Sequence, residues 1–340
     1  MKIIRVFPRK TNATPTDELA YIGAPSMFTF GIDADKVHIS VVFTYDLPEA
    51  ERLEKEWKPI APVEIGGPAT GQRGEDFTPG MYLKKGYVIT SRGCPNRCWF
   101  CSVPQREGDV LRELPITDGW NVLDDNLLAC SESHIRAVFA MLSRQKKQRH
   151  KIELTGGLEA RLLRKWHAEE LRKLYPAQIF FAYDTPDDRD PLFEAGKILL
   201  SAGFTKMSHV LRAYVLIGYP GDTFEKADKR LNETLEAGFV PMAMLYRDKS
   251  GKRDDAWVKF AWPWIRPAAM YEKYKKAFAE KIVRKTVFVQ HDDIARANYR
   301  HCCQHCIYDH RQKTCPKGSR NSGCYNGREG YYFITEKIES

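Results

Sequence analysis

Val88-Ile89-Thr90-Ser91-Arg92-Gly93-Cys94-Pro95-Asn96-Arg97-Cys98-Trp99-Phe100-Cys101 reads as an apolar strand that runs into a loop carrying three cysteines in the spacing C-x3-C-x2-C. Three thiolates can hold three irons of a [4Fe-4S] cube and leave the fourth iron without a protein ligand, as is needed when a small molecule must bind the metal directly. The alternatives are a structural zinc site or three unrelated thiols. Zinc sites usually recruit four ligands in C-x2-C pairs, and no fourth ligand stands nearby in the sequence.

The spacing, the aromatic Phe100 just before the third cysteine and the apolar strand leading in together resemble the signature of the radical S-adenosylmethionine (radical SAM) superfamily. The resemblance implies Cys94, Cys98 and Cys101 as cluster ligands, with SAM chelating the open iron through its amino and carboxylate groups. It further implies reductive cleavage of SAM to a 5′-deoxyadenosyl radical, a reducing partner such as a flavodoxin or ferredoxin, and a transferase or oxidoreductase built on a parallel barrel. The cofactor performs the homolysis, and the protein positions the product against a substrate.

Periodicity downstream of the loop gives a partly independent expectation. From residue 81 to 250 short apolar runs alternate with helices that are apolar on one face. Trp120 to Leu123, Lys151 to Leu154, Gln178 to Ala182, Ala213 to Ile217 and Val240 to Leu245 read as further strands, and Ser131 as the N-cap of a helix reaching Gln145. Such units joined by right-handed crossovers predict an α/β fold, a partial (βα)6 parallel barrel. Residues 1–80 read as a short α/β segment, with Val37 to Phe43 and Val63 to Ile65 as parallel strands around a helix from Leu47 to Trp57. That segment resembles a shortened remnant of the Rossmann-like domain of cobalamin-dependent relatives. Its length and the lack of an Asp-x-His-x-x-Gly motif argue against cobalamin.

In parallel βα folds ligands gather at the carboxyl ends of the strands. There the second strand ends at Asp124-Asp125-Asn126, where relatives place a Gly-Gly-Glu contact to the methionine amino group; the competing reading is a turn cap. Asp184, at the fourth strand end, is a candidate acceptor for ribose hydroxyls. Gly218 and Gly221, at the fifth, resemble a glycine turn that admits adenine. Arg161 and Arg212 are candidate partners for the methionine carboxylate, since a guanidinium matches a carboxylate at two points. Cys130 reads as a small buried residue, the sharper option being a hydrogen-atom donor or a covalent acceptor near the active site.

Residues 251–340 form a Cys-rich extension, aromatic from Trp257 to Trp264 and helical in character from Ala268 to Lys281. Cys303, Cys306, Cys315 and Cys324 are spaced C-x2-C-x8-C-x8-C, which suits zinc or an auxiliary iron-sulfur cluster; Cys302, or one of His301, His305 and His310, could replace a member. From Lys281 to Ser340 there are 11 Lys and Arg against 6 Asp and Glu, a net +5 of the chain's +9. That basic, aromatic tail suggests a nucleic-acid substrate, modified by methylation, thiolation or a related reaction. Two rival readings stay open: a radical SAM enzyme acting on a peptide or small molecule through an auxiliary cluster, and a non-catalytic iron-sulfur or zinc protein that binds nucleic acid. With 43% hydrophobic and 29% charged residues the composition is that of a folded globular chain. No apolar run approaches the roughly 20 residues that span a bilayer, and Met1 to Ala20 lacks the apolar core of a secretory signal, so the expected location is the cytoplasm.

Overall fold

A computed structural model describes residues 2–265, apart from 30, 75, 249, 250 and 253, together with 270 and 272 and two strands, Thr286–Gln290 and Tyr331–Thr335. The chain divides into two compact units, Met1–Pro267 and Ala268–Ser340. Among the described residues no helix is long and apolar enough to cross a membrane.

The first unit opens with β1 (Ile3–Phe7), β2 (Ala20–Ile22), β3 (Lys36–Ser40), α1 (Leu47–Trp57) and β4 (Val63–Gly66). The four strands form one sheet in the order β2-β1-β3-β4, and all neighbours are parallel. Strand side chains alternate between faces, so Ile4, Val6, Val37 and Ile39 share a side; there they meet Ala50, Leu53 and Trp57, one turn apart on α1, in a fully buried core. On the opposite face lie Arg5 and its register partner His38. Arg5 is buried, bonded to the carbonyls of Gly80 and Met81 and paired with Asp17, which ties residues 80–81 to this sheet.

The chain continues through β5 (Tyr87–Val88), β6 (Ser91–Arg92), α2 (Val103–Arg106), β7 (Arg112–Glu113), β8 (Asn121–Val122), α3 (Glu132–Lys147), β9 (Glu153–Leu154), α4 (Lys165–Leu174), β10 (Gln178–Ala182), α5 (Arg189–Ser201), β11 (Leu211–Ile217), α6 (Phe224–Ala237), β12 (Val240–Leu245) and α7 (Asp255–Ile265). Six of these strands form a second parallel sheet, ordered β5-β8-β9-β10-β11-β12, while β6 and β7 make a separate antiparallel pair. Every strand therefore lies beside its predecessor, with no reversal of direction along the sheet. Right-handed crossovers then carry all the intervening helices to one face. Burial agrees: along β11, Leu211, Ala213, Val215 and Ile217 are buried and alternate with half-exposed residues.

Local chemistry sets the helix ends. Ser131 accepts the His134 N–H at 3.3 Å to cap α3, and Thr223 accepts that of Lys226 at 3.3 Å to cap α6. α6 stops at Gly238, whose φ of 101° favours glycine. α7 packs on β12 within the first unit: Trp264 is buried, and Trp257 lies 4.5 Å from Phe224 between ring centroids. The aromatic run that the sequence assigns to the extension thus packs with the parallel sheet.

In the second unit Thr286–Gln290 (β13) and Tyr331–Thr335 (β14) pair antiparallel, with Phe288 opposite Phe333. Cys303, Cys306, Cys315 and Cys324, with Cys302, His301, His305 and His310, lie outside the described residues, as does most of the helix expected from Ala268 to Lys281.

Candidate functional site

The cysteine loop leaves the carboxyl end of β5 and is held by the next strand end along. Asp124, buried beyond β8, accepts the Thr90 N–H at 2.6 Å and the hydroxyls of Thr90 and Ser91 at 2.5 and 2.8 Å. Burial raises its carboxyl above the usual range, against the pull of those donors. Asp125 accepts the Gly93 N–H at 2.8 Å and bonds Arg106 at 3.3 Å. Both carboxylates are thus occupied in fastening the loop. Gly93 has a φ of 87°, and a Cβ there would stand 2.5 Å from the Val110 carbonyl, so the backbone turns into Cys94 where only glycine fits.

Asn126 reaches further in. Its amide donates to Cys94 Sγ at 3.5 Å and to Glu159 at 2.6 Å, and its Oδ1 is buried without a partner. Glu159 follows Gly156-Gly157 after β9. A Cβ on Gly156 would lie 2.4 Å from the Asp124 carbonyl, which is how closely these strand ends approach.

Cys94 and Cys101 are half-buried and Cys98 is exposed; all three are free thiols. Cys101 Sγ accepts the Val103 N–H at 3.5 Å. Although part of Cys98 is exposed, partial desolvation of its thiol by the loop pushes it up to about 11, with Cys101, Cys94, Asp188 and Asp184 adding to the rise. Burial likewise raises Cys101. These groups therefore lie within electrostatic reach of one another. Among the described residues no three His, Cys, Asp or Glu side chains converge as a site for one metal ion. A polynuclear centre, where each sulfur meets its own metal, does not need that convergence.

Within the loop, Trp99 stands 5.6 Å from Tyr219 and 5.9 Å from Tyr246 between ring centroids, so the loop after the first strand reaches the ends of the fifth and sixth. Phe100 lies edge-on to Trp99 at 5.3 Å. Asp184 accepts the Leu216 N–H at 3.0 Å, and its carboxyl is pushed up to about 7 by burial and then by Asp188. Arg161 lies beside it, bonded to the Asp187 carbonyl at 2.7 Å and to Asp188 at 3.4 Å. Gly218 has a φ of 71° and no room for a side chain: a Cβ would be 2.9 Å from Leu245 and from Trp257. Its N–H bonds Asp222 at 2.9 Å, and Asp222 forms a buried ion pair with Arg230 at 2.8 Å. Gly221, by contrast, borders open space.

One candidate lies elsewhere, and Cys130 is the buried residue that its position suggested. Arg212 is the second residue of β11, at the amino end, and its side chain bonds the His209 carbonyl at 3.3 Å and lies over Phe180. The alternation and direction of the strand put it about 16 Å, five residues, below the carboxyl edge. Cys130 is buried behind the Asp124 strap, and burial pushes its thiol up to about 12.

Glu107 and Glu159 were missed at the sequence level. Glu107, 1% exposed, accepts from Arg112 at 2.8 Å, Arg106 at 3.1 Å, Arg92 at 3.4 Å and the Gly74 N–H at 3.2 Å, joining both flanks of the cysteine loop. Nothing in its spacing marks that role. Glu159 did carry a signal, a carboxylate two residues beyond a glycine pair at a strand end.

No protein-family model and no curated protein matches the sequence. Among solved structures, the coproporphyrinogen III oxidase HemN of Escherichia coli, a radical SAM enzyme, is similar over 57% of this chain and 52% of its own, at 11% identity and a TM-score of 0.33. The chain spans about half the length of that structure. A likeness at that level decides neither the fold nor the activity.

Proposed function

We propose that the protein is a radical SAM enzyme, with residues 81–250 forming a partial (βα)6 barrel around the mouth just described. The observation that carries the reading is the C-x3-C-x2-C loop mounted at the carboxyl end of the first strand of a monotonic parallel sheet. The donor set fits a [4Fe-4S] cluster: three thiols share one loop, and two of the sulfurs already accept N–H bonds from Val103 and Asn126. When bound, the cluster and SAM supply reductive carbon-sulfur cleavage and a 5′-deoxyadenosyl radical.

The chain's own residues do the rest. Cys94, Cys98 and Cys101 ligate as thiolates, so loading releases their protons. The orphan Oδ1 of Asn126 and the Glu159 carboxylate are acceptors suited to the methionine ammonium. Arg161 at the rim suits the carboxylate, and the Asp184 carboxyl, able to carry a proton near neutrality, suits a ribose hydroxyl. Gly221 leaves space for adenine. Trp99, Phe100, Tyr219 and Tyr246 wall the mouth and exclude water from a reactive intermediate.

The net charge of +9, weighted toward the tail, supports a nucleic acid as substrate, modified at an unreactive carbon. A flavodoxin- or ferredoxin-type reductant would serve it in the cytoplasm, and the C-terminal cysteines would hold a second metal. The test is anaerobic reconstitution with iron and sulfide, then SAM and a strong reductant. The expected product is 5′-deoxyadenosine, lost in the Cys94→Ala, Cys98→Ala, Cys101→Ala triple variant; an intact cluster that yields none would remove the reading.

A further inference from the structure

An aromatic and cationic strip runs from the cysteine loop to the carboxyl ends of the N-terminal sheet. It starts at Trp99, which is 57% exposed and touches Tyr219 and Tyr246. Arg247, next along the chain from Tyr246, lays its guanidinium 5.0 Å from the centroid of Tyr45. Tyr45 stacks on Phe43 with centroids 5.1 Å apart and planes 8° apart. Arg9, just past β1, lies 5.0 Å from the Tyr45 centroid and 5.9 Å from that of Phe43. Phe43 is 37% exposed, and the Lys10 that follows Arg9 is exposed too.

The geometry points to a single-stranded nucleic acid as the occupant of this strip, with bases stacked on Phe43 and Trp99 and phosphates beside Arg9, Lys10 and Arg247. Exposed rings flanked by guanidinium groups hold bases by their π-faces and the backbone by charge, without needing a sequence. A duplex hides those faces. Asp46 answers Arg9 with both carboxylate oxygens, whereas among the described residues no carboxylate pairs with Arg247. Trp99 offers an exposed ring and Arg247 a guanidinium, so the Trp99 end suits a base and the Arg247 end a phosphate. That polarity delivers a base, not the backbone, to the thiols. The inference rests on the proposed function only for what happens to that base.

The test is fluorescence anisotropy of the full chain with a labelled 15-nucleotide oligothymidylate, the same strand in a duplex, and an unstructured peptide of equal length. Single-strand binding should weaken with salt and exceed duplex binding. Phe43→Ala should weaken it about 5- to 150-fold, and Arg247→Gln should weaken it and reduce the salt slope by about 1. Phe43 is exposed and Arg247 half-buried, and melting curves show which variants fold; Arg247→Gln carries the test if Phe43→Ala does not. No binding by the wild type, equal binding by the folded variants, or preference for the duplex or the peptide would overturn the strip. 5′-Deoxyadenosine formation measured in parallel separates the two ideas: its presence without oligonucleotide binding rejects only the strip, and binding without it rejects only the radical chemistry.

Discussion

Replacing Glu107 by glutamine tests whether one buried carboxylate holds the cysteine loop in shape. Glu107→Gln keeps the size of the side chain but removes the charge shared by Arg92, Arg106 and Arg112, and puts an N–H donor where an acceptor stood. Hydrogen bonds to charged groups contribute about 1.5–3 kcal/mol each, and breaking a buried pair costs about 3–5 kcal/mol. The arginine side chains keep 17%, 18% and 27% of their exposure, so water can take over part of what they lose. The net cost is therefore set at about 2–3 kcal/mol, a fall in Tm of roughly 4–12 °C. Arg92 precedes Gly93-Cys94, and Arg106 links to Asp125, which holds the Gly93 N–H. Loosening them should therefore also lower the iron retained after reconstitution, read by iron content and visible absorbance. A variant with wild-type Tm and full iron would refute the idea that this network positions the loop. An Arg112→Met, Glu107→Gln double variant should cost less than the sum of the two single changes, because they share one interaction.

Two further predictions concern the opposite wall. The folded-state carboxyl of Asp184, raised to about 7, binds a proton that the unfolded chain, at about 3.9, has lost. Stability should therefore fall as pH rises from about 4 to 7, by on the order of 4 kcal/mol. Asp184→Asn keeps an acceptor for the Leu216 N–H and abolishes that dependence, so its Tm should exceed the wild type's at pH 8 and match it near pH 4; parallel Tm profiles would reject the buried, proton-bearing carboxyl. Gly218→Ala places a Cβ 2.9 Å from Leu245 and Trp257 in a left-handed backbone, which should cost about 1–3 kcal/mol in urea denaturation, while Gly221→Ala, bordering open space, should cost only the backbone strain.

Much of the fold was legible because it follows from periodicity. Gln178–Ala182, Val240–Leu245 and Leu47–Trp57 have the bounds that their apolar spacing implies. β1 and β2 were not anticipated: β1 interrupts its apolar run with Arg5, whose burial makes sense only once Asp17 and the carbonyls of residues 80 and 81 surround it. Within the site the carboxyl-end rule brought Asp124, Asp125, Asn126 and Asp184 into view, yet it could not assign their partners. Asp124 and Asp125 fasten the loop, and of the three only Asn126 keeps an orphan acceptor. Arg212 shows the limit of residue type alone, since a guanidinium at the amino end of its strand lies most of a strand length from the strand-end chemistry.

By itself the sequence determined where the thiols stand along the chain, most of the strands and helices between residues 37 and 245, and that the strands joined by helices run parallel, because these depend on spacing within a few residues or on crossover length. Tertiary structure decided everything that joins distant positions: Trp99 against Tyr219 and Tyr246, Glu107 among three arginines, Asn126 between Cys94 and Glu159, and Tyr45 beneath Arg247. Those contacts arise where loops from separate strand ends, and from both parallel sheets, meet. A linear pattern carries no record of which loops that meeting brings within hydrogen-bond reach.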